Sequence, residues 1–410
     1  MYFEKASLAL EVCLLKGYFH SFNFLTAIFS VLAYLLSAYV NTMAAKIGAS
    51  YFTIGLINFF AALAYVISSL LFGGFGDRFG HKRFLSFSCF VFSAFLSISP
   101  LLKGIAGLFV LAIGFQFFFG SLYPQLVAIV TKNEKSYGVD HAKTVGRYNL
   151  SWSFGNIIGM AFGPFLAVNL PVLTFSFGIA LCLVVGLFLG FDYKKHRDTF
   201  YFNPSKTLKK AERAPSISNA KLYRKIYRLM LFLCGLVYTS ILTLFPKVIS
   251  SHGLPLGLTG FIIVGANLSV FSMFLILSIY RKWVGNIKVS LAMLSVLPIT
   301  SILLLLPKSG VWMFFLISIF GGMTYATAYT FAIYYGMISE HFDQGKQGGF
   351  HEATIGMLWG FGPLAGGLMI QIFKSEVGLG IMGLIVFFVV SIVQFKFMKR
   401  VKAQSLFAGD

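Results

Sequence analysis

Residues 73–83 read Gly73-Gly74-Phe75-Gly76-Asp77-Arg78-Phe79-Gly80-His81-Lys82-Arg83. Charge and glycine crowd into this stretch, and on either side lies a long apolar run, residues 52–73 before it and 84–102 after it. Crossing a bilayer takes roughly 20 apolar residues in a helix. The two runs therefore read as membrane-spanning helices and the stretch between them as a short polar turn. Gly73, Gly76 and Gly80 permit a tight turn and a close approach of backbones.

The same alternation continues in both directions. Of the 410 residues, 58% are hydrophobic and 11% charged, and Phe alone accounts for 48. A soluble chain of this length needs about 25% charged residues to cover its surface, so the apolar surface must face lipid. Twelve runs reach spanning length, the first over 22–45 and the last over 377–395. Six precede a polar connection and six follow it. The reading is an all-α integral membrane protein, with a six-helix half over 1–190, a linker over 191–228 and a second six-helix half with a short tail over 229–410.

The net charge of +20 raises the question of nucleic acid. The placement of the charge answers it, because Lys and Arg avoid the runs and gather between them. With the N-terminus inside the cell, 28 of the 33 Lys and Arg fall in inner segments and the other five in outer loops. That bias fits the topological preference for inner positive loops. It predicts a cell-membrane protein with both termini cytoplasmic and the lipid bilayer, not nucleic acid, as its surroundings. Cys13, Cys89, Cys182 and Cys234 form no CxxC pair and read as small buried hydrophobes, with no metal site. No phosphate-binding Gly-Lys-Ser/Thr pattern occurs. No cofactor and no ATP drive are expected, and a monomer is.

The halves echo one another. The fifth run carries Gly155, Gly159, Gly163 and Pro164, and the eleventh carries Gly362, Pro363, Gly366 and Gly367. Each Gly-Pro pair lies in the fifth run of its half. Glycines four apart share one helix face and let a second helix approach closely, and proline can bend the helix. Parallel six-helix repeats are a common transporter plan.

The loop over 73–83 resembles the signature loop of the major facilitator superfamily, in which a Gly, three residues, Asp, Arg or Lys, any residue, Gly and two basic residues follow in order. Gly73, Asp77, Arg78, Gly80 and Lys82 match. His81 departs, since a fixed cation is usual there, while Lys82 and Arg83 keep the loop basic. The resemblance implies a twelve-helix fold and secondary transport by alternating access. It further implies that Asp77 sits by the start of the eleventh span and that Arg78 reaches an acid near the end of the fourth, for which Glu134 is the candidate. These contacts would close the cytoplasmic side. The alternative is a hairpin that only holds two helices together. The glycine-proline stretch of the fifth span resembles a motif of the antiporter branch, although Ala167 and Val168 stand where that motif ends in Gly-Gly. Helix packing alone would also explain these glycines.

Polar groups inside a membrane are costly unless satisfied and are functional candidates by default. Glu352 is the one clear acid within the spans, with His351 beside it. It could accept a proton during transport, belong to the gate, or favour a helix start. The uncharged candidates for a substrate cavity are Asn58, Gln116, Gln125, Asn156, Tyr238, Asn267, Tyr325 and Tyr329. Each Asn or Gln could equally bond a neighbouring helix. Tyr325 and Tyr329, four apart, share a helix face and suit a weakly polar or aromatic solute, or a cation held on ring faces. An enzyme would need a converging catalytic set, which the spans lack. The expectation is a transporter of a small solute, exporting it in exchange for protons. Proton symport or facilitated uptake of a sugar or organic anion, and a non-transporting sensor, are the alternatives.

Overall fold

The computed structural model describes residues 2–137, 141–196, 220–280, 282–284, 286, 288, 294–306, 310–338 and 344–407, with side chains for most of these. The helices are α1 (Tyr2–Lys46), α2 (Tyr51–Phe72), the short α3 (Phe75–Phe79), α4 (His81–Ile98), α5 (Gly104–Tyr137), α6 (His141–Asn169) and α7 (Pro171–His196). After the connection come α8 (Ala220–Ser251), α9 (Thr259–Ile279), α10 (Val296–Leu305), α11 (Val311–Ile338), α12 (Gln344–Phe373) and α13 (Val377–Phe407). Eleven stretches among the described residues are long and apolar enough to cross a membrane. Where the ninth span is expected, over 287–306, the described helix α10 is ten residues long, and residues 287 and 289–293 lie outside the described residues. Large apolar side chains such as Leu70 (78% exposed) and Phe388 (62%) point outward. In water such a surface would be prohibitive, but against lipid tails it is neutral.

Several helices outrun the apolar runs. Beyond the bilayer a helix continues as long as its inward face finds partners. α8 begins at Ala220, inside the stretch read as linker, because Tyr223 and Tyr227 are buried there. Their rings stack on Tyr335 at 4.7 and 5.3 Å. α13 runs past residue 395 for a related reason, with Phe397 fully buried edge-on to Tyr223.

The echo between the halves has a packing basis. Gly155, Gly159 and Gly163 of α6 lie against α1, where added Cβ atoms would meet the backbone and side chains of Ala27, Val31 and Ala38. In the same way Gly362 and Gly366 of α12 lie against α8, beside Leu236, Thr239 and Ser240. The close approach lets Thr239 donate to the Leu358 carbonyl (3.0 Å) and Ser240 to the Gly362 carbonyl (2.6 Å). The halves join crosswise, α12 on α2 and α6 on α9. Gly159→Leu is expected to destabilise the detergent-solubilised protein by about 1–3 kcal/mol, the usual cost of overpacking. The comparison is Gly146→Leu, because a Cβ at Gly146 meets nothing within 4 Å. Equal melting temperatures for the two variants would show that the α1–α6 approach is not tight.

Candidate transport site

Tyrosine is amphipathic, and inside a bundle its ring packs while its hydroxyl needs a partner. α1, α2, α5, α6, α8, α11 and α12 each send such a ring, or a tryptophan, toward the middle of the molecule. Tyr238 of α8 stacks on Tyr325 of α11, with centroids 4.2 Å apart and planes 3° from parallel. The Tyr238 hydroxyl donates to Asn267 Oδ1 at 3.0 Å. Trp359 of α12 meets Tyr238 edge-on at 6.3 Å and Tyr34 of α1 at 5.9 Å, so the two halves touch through rings. One turn along α11, Tyr329 packs beside Trp152 of α6 (5.7 Å), Phe274 of α9 (5.3 Å) and His351 of α12 (4.8 Å). Tyr123 of α5 shares a hydrogen bond with Ser30 of α1 at 3.1 Å.

Glu352 sits among these rings. It lies eight residues into α12, about 12 Å along the axis from Gln344, deeper than a helix starting near residue 349 implies. Its carboxylate interacts electrostatically with the hydroxyls of Tyr65, Tyr123, Tyr148, Tyr325 and Tyr329. Glu352 is exposed, and the tyrosines around it come from α2, α5, α6 and α11. Among the described residues Glu352 forms no salt bridge. His351 next to it is 3% exposed, and neither ring nitrogen has a hydrogen-bond partner among the described residues.

The candidates named from the sequence separate into groups. Tyr238, Asn267, Tyr325, Tyr329, His351 and Glu352 converge on this cluster. Asn58 does not, because its amide donates to Asn41 Oδ1 and to the Ile54 carbonyl, both at 2.8 Å, tying α2 to α1. Gln125 is fully buried at the loop of residues 73–83, away from the rings. Asn156 is buried on α6, and Gln116 is half-buried on α5. Glu134 lies outside the residues whose side chains are described. Tyr34, Tyr65, Tyr123, Tyr148, Trp152 and Trp359 were not singled out from the sequence. Among 19 Tyr and 4 Trp, only the packing of seven helices reveals which rings face inward.

The loop that resembles the signature has its own geometry. Gly80 has φ +90°, which glycine alone adopts without strain, and it separates α3 from α4. Asp77 is 68% exposed and lies 3.2 Å from His81. Lys82 is buried at 4% and pairs with Asp192 of α7 at 2.8 Å, an acid not anticipated as a partner. Arg78 and Arg83 are exposed. At the opposite end of the bundle, Lys247 of α8 donates to the Ala49 carbonyl in the α1–α2 turn and stands 4.8 Å over the Tyr51 ring. That contact bridges the first and second sets of helices.

The sequence profile of the Major Facilitator Superfamily matches residues 22–350, most of the chain. The chain belongs to the major facilitator superfamily. As a member it is a multi-pass membrane transporter of some solute. Solved structures of other superfamily members share its fold. A bacterial homologue of the human lysosomal transporter Spinster, inward-facing and unoccupied, superposes with TM-score 0.70 at 15% identity, covering 94% of this chain and 98% of that one. The peptide transporter POT in complex with sulfate gives 0.69 at 12% identity, covering 93% and 94%. The nucleoside transporter NupG gives 0.65 at 15% identity, covering 93% and 99%. No curated protein sequence matches this superfamily member.

Proposed function

We propose that the protein carries a small organic solute with an aromatic or cationic group, in exchange for protons, through the tyrosine-lined cavity around Glu352. The observation that supports this reading best is the placement of one exposed acid, without a salt bridge among the described residues, among tyrosines of both halves. An ionised carboxylate is expensive to enclose unless its charge is neutralised. Either a proton or a cationic group can neutralise it, so the two compete for Glu352 and the cycle exchanges one for the other. The tyrosine and tryptophan rings around Glu352 suit a solute with a flat ring or a cation. Rocking of the halves about the site would expose it to each side in turn. The loop around Asp77 then serves as the inner gate, and the contact of Lys247 with Ala49 closes the outer end in this conformation. The antiporter-like stretch of α6 favours export as the direction.

Transport into proteoliposomes, with and without an imposed pH gradient and over a panel of organic cations, neutral aromatics, sugars and organic anions, tests the proposal. Gradient-driven movement of an aromatic or cationic compound, opposite in direction to the proton flow, is the expected result. Movement indifferent to the gradient overturns proton coupling. Selective movement of a sugar overturns the assignment of solute class.

A further inference from the structure

Tyrosines around an acid can hold a cation in two ways, on their ring faces or on their hydroxyl oxygens. The packing around Glu352 separates the two. Tyr325 has a face covered by Tyr238 at 4.2 Å, and Tyr123 stacks on Phe119 at 5.6 Å. Tyr329 is wedged among His351 (4.8 Å), Phe274 (5.3 Å), Trp152 (5.7 Å) and Tyr325 (5.8 Å). Protein contacts therefore take up much of the ring surface of these three. Their hydroxyls differ. That of Tyr123 bonds Ser30, while those of Tyr148, Tyr325 and Tyr329 make no hydrogen bond among the described residues. Tyr325 and Tyr329 are each 3% exposed. A hydroxyl enclosed to that degree without a partner is costly, and in native proteins such a group marks a place where water or a bound molecule completes the bonding. Tyr329 lies within electrostatic reach of Tyr148, Tyr325 and Glu352, so the three oxygens and the carboxylate gather in one place.

We infer that the cationic group of the solute is a protonated amine that keeps its N–H hydrogens, received by the Glu352 carboxylate and the hydroxyl oxygens of Tyr148, Tyr325 and Tyr329. A quaternary ammonium on the same ring is discriminated against. A primary ammonium carries three N–H donors and no acceptor. The carboxylate accepts, and each phenol oxygen keeps a lone pair for an N–H even when its own hydrogen turns to the carboxylate. A trimethylammonium brings the same charge but no donor. Its methyl groups would shut these oxygens off from water and leave them unbonded, and polar groups left unpaired in this way separate solutes sharply. Attraction to ring faces would favour the quaternary group, but Tyr123, Tyr325 and Tyr329 spend their faces on protein contacts. The flat part of the solute is left for the half-buried rings of Trp152 and Trp359. The inference rests on the reading of Glu352 as the residue that meets a cationic solute, and it adds which cations are accepted. It is independent of proton coupling and of the direction of transport.

The test is equilibrium binding to the full chain in lipid nanodiscs, by isothermal titration calorimetry at about pH 7.5, where alkylamines are charged. The probes are pairs, a primary 2-arylethylamine and its N,N,N-trimethyl derivative, with phenyl, indolyl and naphthyl rings. The primary amine of at least one pair is expected to bind about tenfold or more tightly than its trimethyl partner. Tyr148→Phe combined with Tyr329→Phe keeps both rings and removes two acceptors. It should weaken the primary amine about fivefold or more and leave the trimethyl compound within about twofold, a split that disturbed packing would not produce. Tyr148→Phe alone should show the same split at about twofold or more, and it serves if the double variant folds poorly. Glu352→Gln should weaken both members of a pair. Equal affinity within every pair, or tighter binding of the trimethyl compounds, overturns the inference while leaving Glu352 as a cation site. Equal losses for both members in the hydroxyl variants overturn it too. If Glu352→Gln leaves both affinities unchanged, or if no charged probe binds, the reading of Glu352 fails and the inference falls with it.

Discussion

Glu352→Gln is expected to abolish solute movement driven by a pH gradient while leaving energy-independent exchange of an uncharged aromatic solute across the membrane within about twofold of wild type. One pH unit can sustain about a tenfold concentration ratio for a solute exchanged against one proton, so the predicted loss at a one-unit gradient is about tenfold. The physical reason lies in the surroundings of the carboxylate. Glu352 stands within electrostatic reach of Tyr65, Tyr123, Tyr148, Tyr325 and Tyr329, and glutamine matches its shape while losing the titrating group. Binding contacts to the rings survive, so the halves can still rock around the solute. Glu352→Asp, which keeps the charge one methylene shorter, should recover part of the coupling. Parallel measurement of gradient-driven uptake and counterflow in proteoliposomes decides the matter. Intact gradient-driven transport in the glutamine variant removes Glu352 from the coupling role.

Tyr325→Ala is the second large effect. The Tyr238–Tyr325 stack joins α8 to α11, and Trp359 and Tyr34 extend it into the first half. Aromatic pairs contribute about 0.5–1.5 kcal/mol beyond the area they bury. A solute ring packed against that contact would lose a similar amount, so KM for an aromatic solute should rise by about two- to tenfold. Truncating a buried aromatic also costs stability, roughly 3–5 kcal/mol. Tyr325→Phe separates the two effects, since it keeps the stack and removes only the hydroxyl. It should retain KM within about threefold and a near-native melting temperature. An unchanged KM in a folded alanine variant would place the solute elsewhere.

Much of this is legible in the amino-acid sequence. The apolar runs announced their own helices, because a segment in lipid must satisfy its backbone internally and a helix does so using only local sequence. The glycine faces of α6 and α12 were visible as four-residue spacings, and the structure shows what each spacing accommodates, α1 in one case and α8 in the other. The signature loop was legible in its residues but not in its bonds. His81 was noted only as a departure, and its bonds to Gln125, 44 residues along the chain, depend on α5 coming alongside α4. Asp192 was unmarked, since an acid just past an apolar run resembles any solvated loop acid until Lys82 is found buried against it.

The cavity residues show the same division. Tyr325 and Tyr329 could be paired because they lie one turn apart on one helix. Asn58 and Gln125 carried the same polar signal as Asn267, yet they bond neighbouring helices and stay outside the ring cluster. Tyr34, Tyr123 and Trp359 gave no signal, because amphipathic rings occur all along the chain and their direction is a rotation about the helix axis. The membrane supplies no polar face to fix that rotation, as water does for a soluble helix. The sequence by itself therefore determined that helices cross a bilayer and that a signature loop joins two of them, since these are local properties of hydropathy and spacing. Only the tertiary structure decided which side chains meet, and with them the site around Glu352 and the pairing of Lys82 with Asp192. Those contacts depend on how each helix turns against its neighbours, which close packing sets and a one-dimensional pattern does not record.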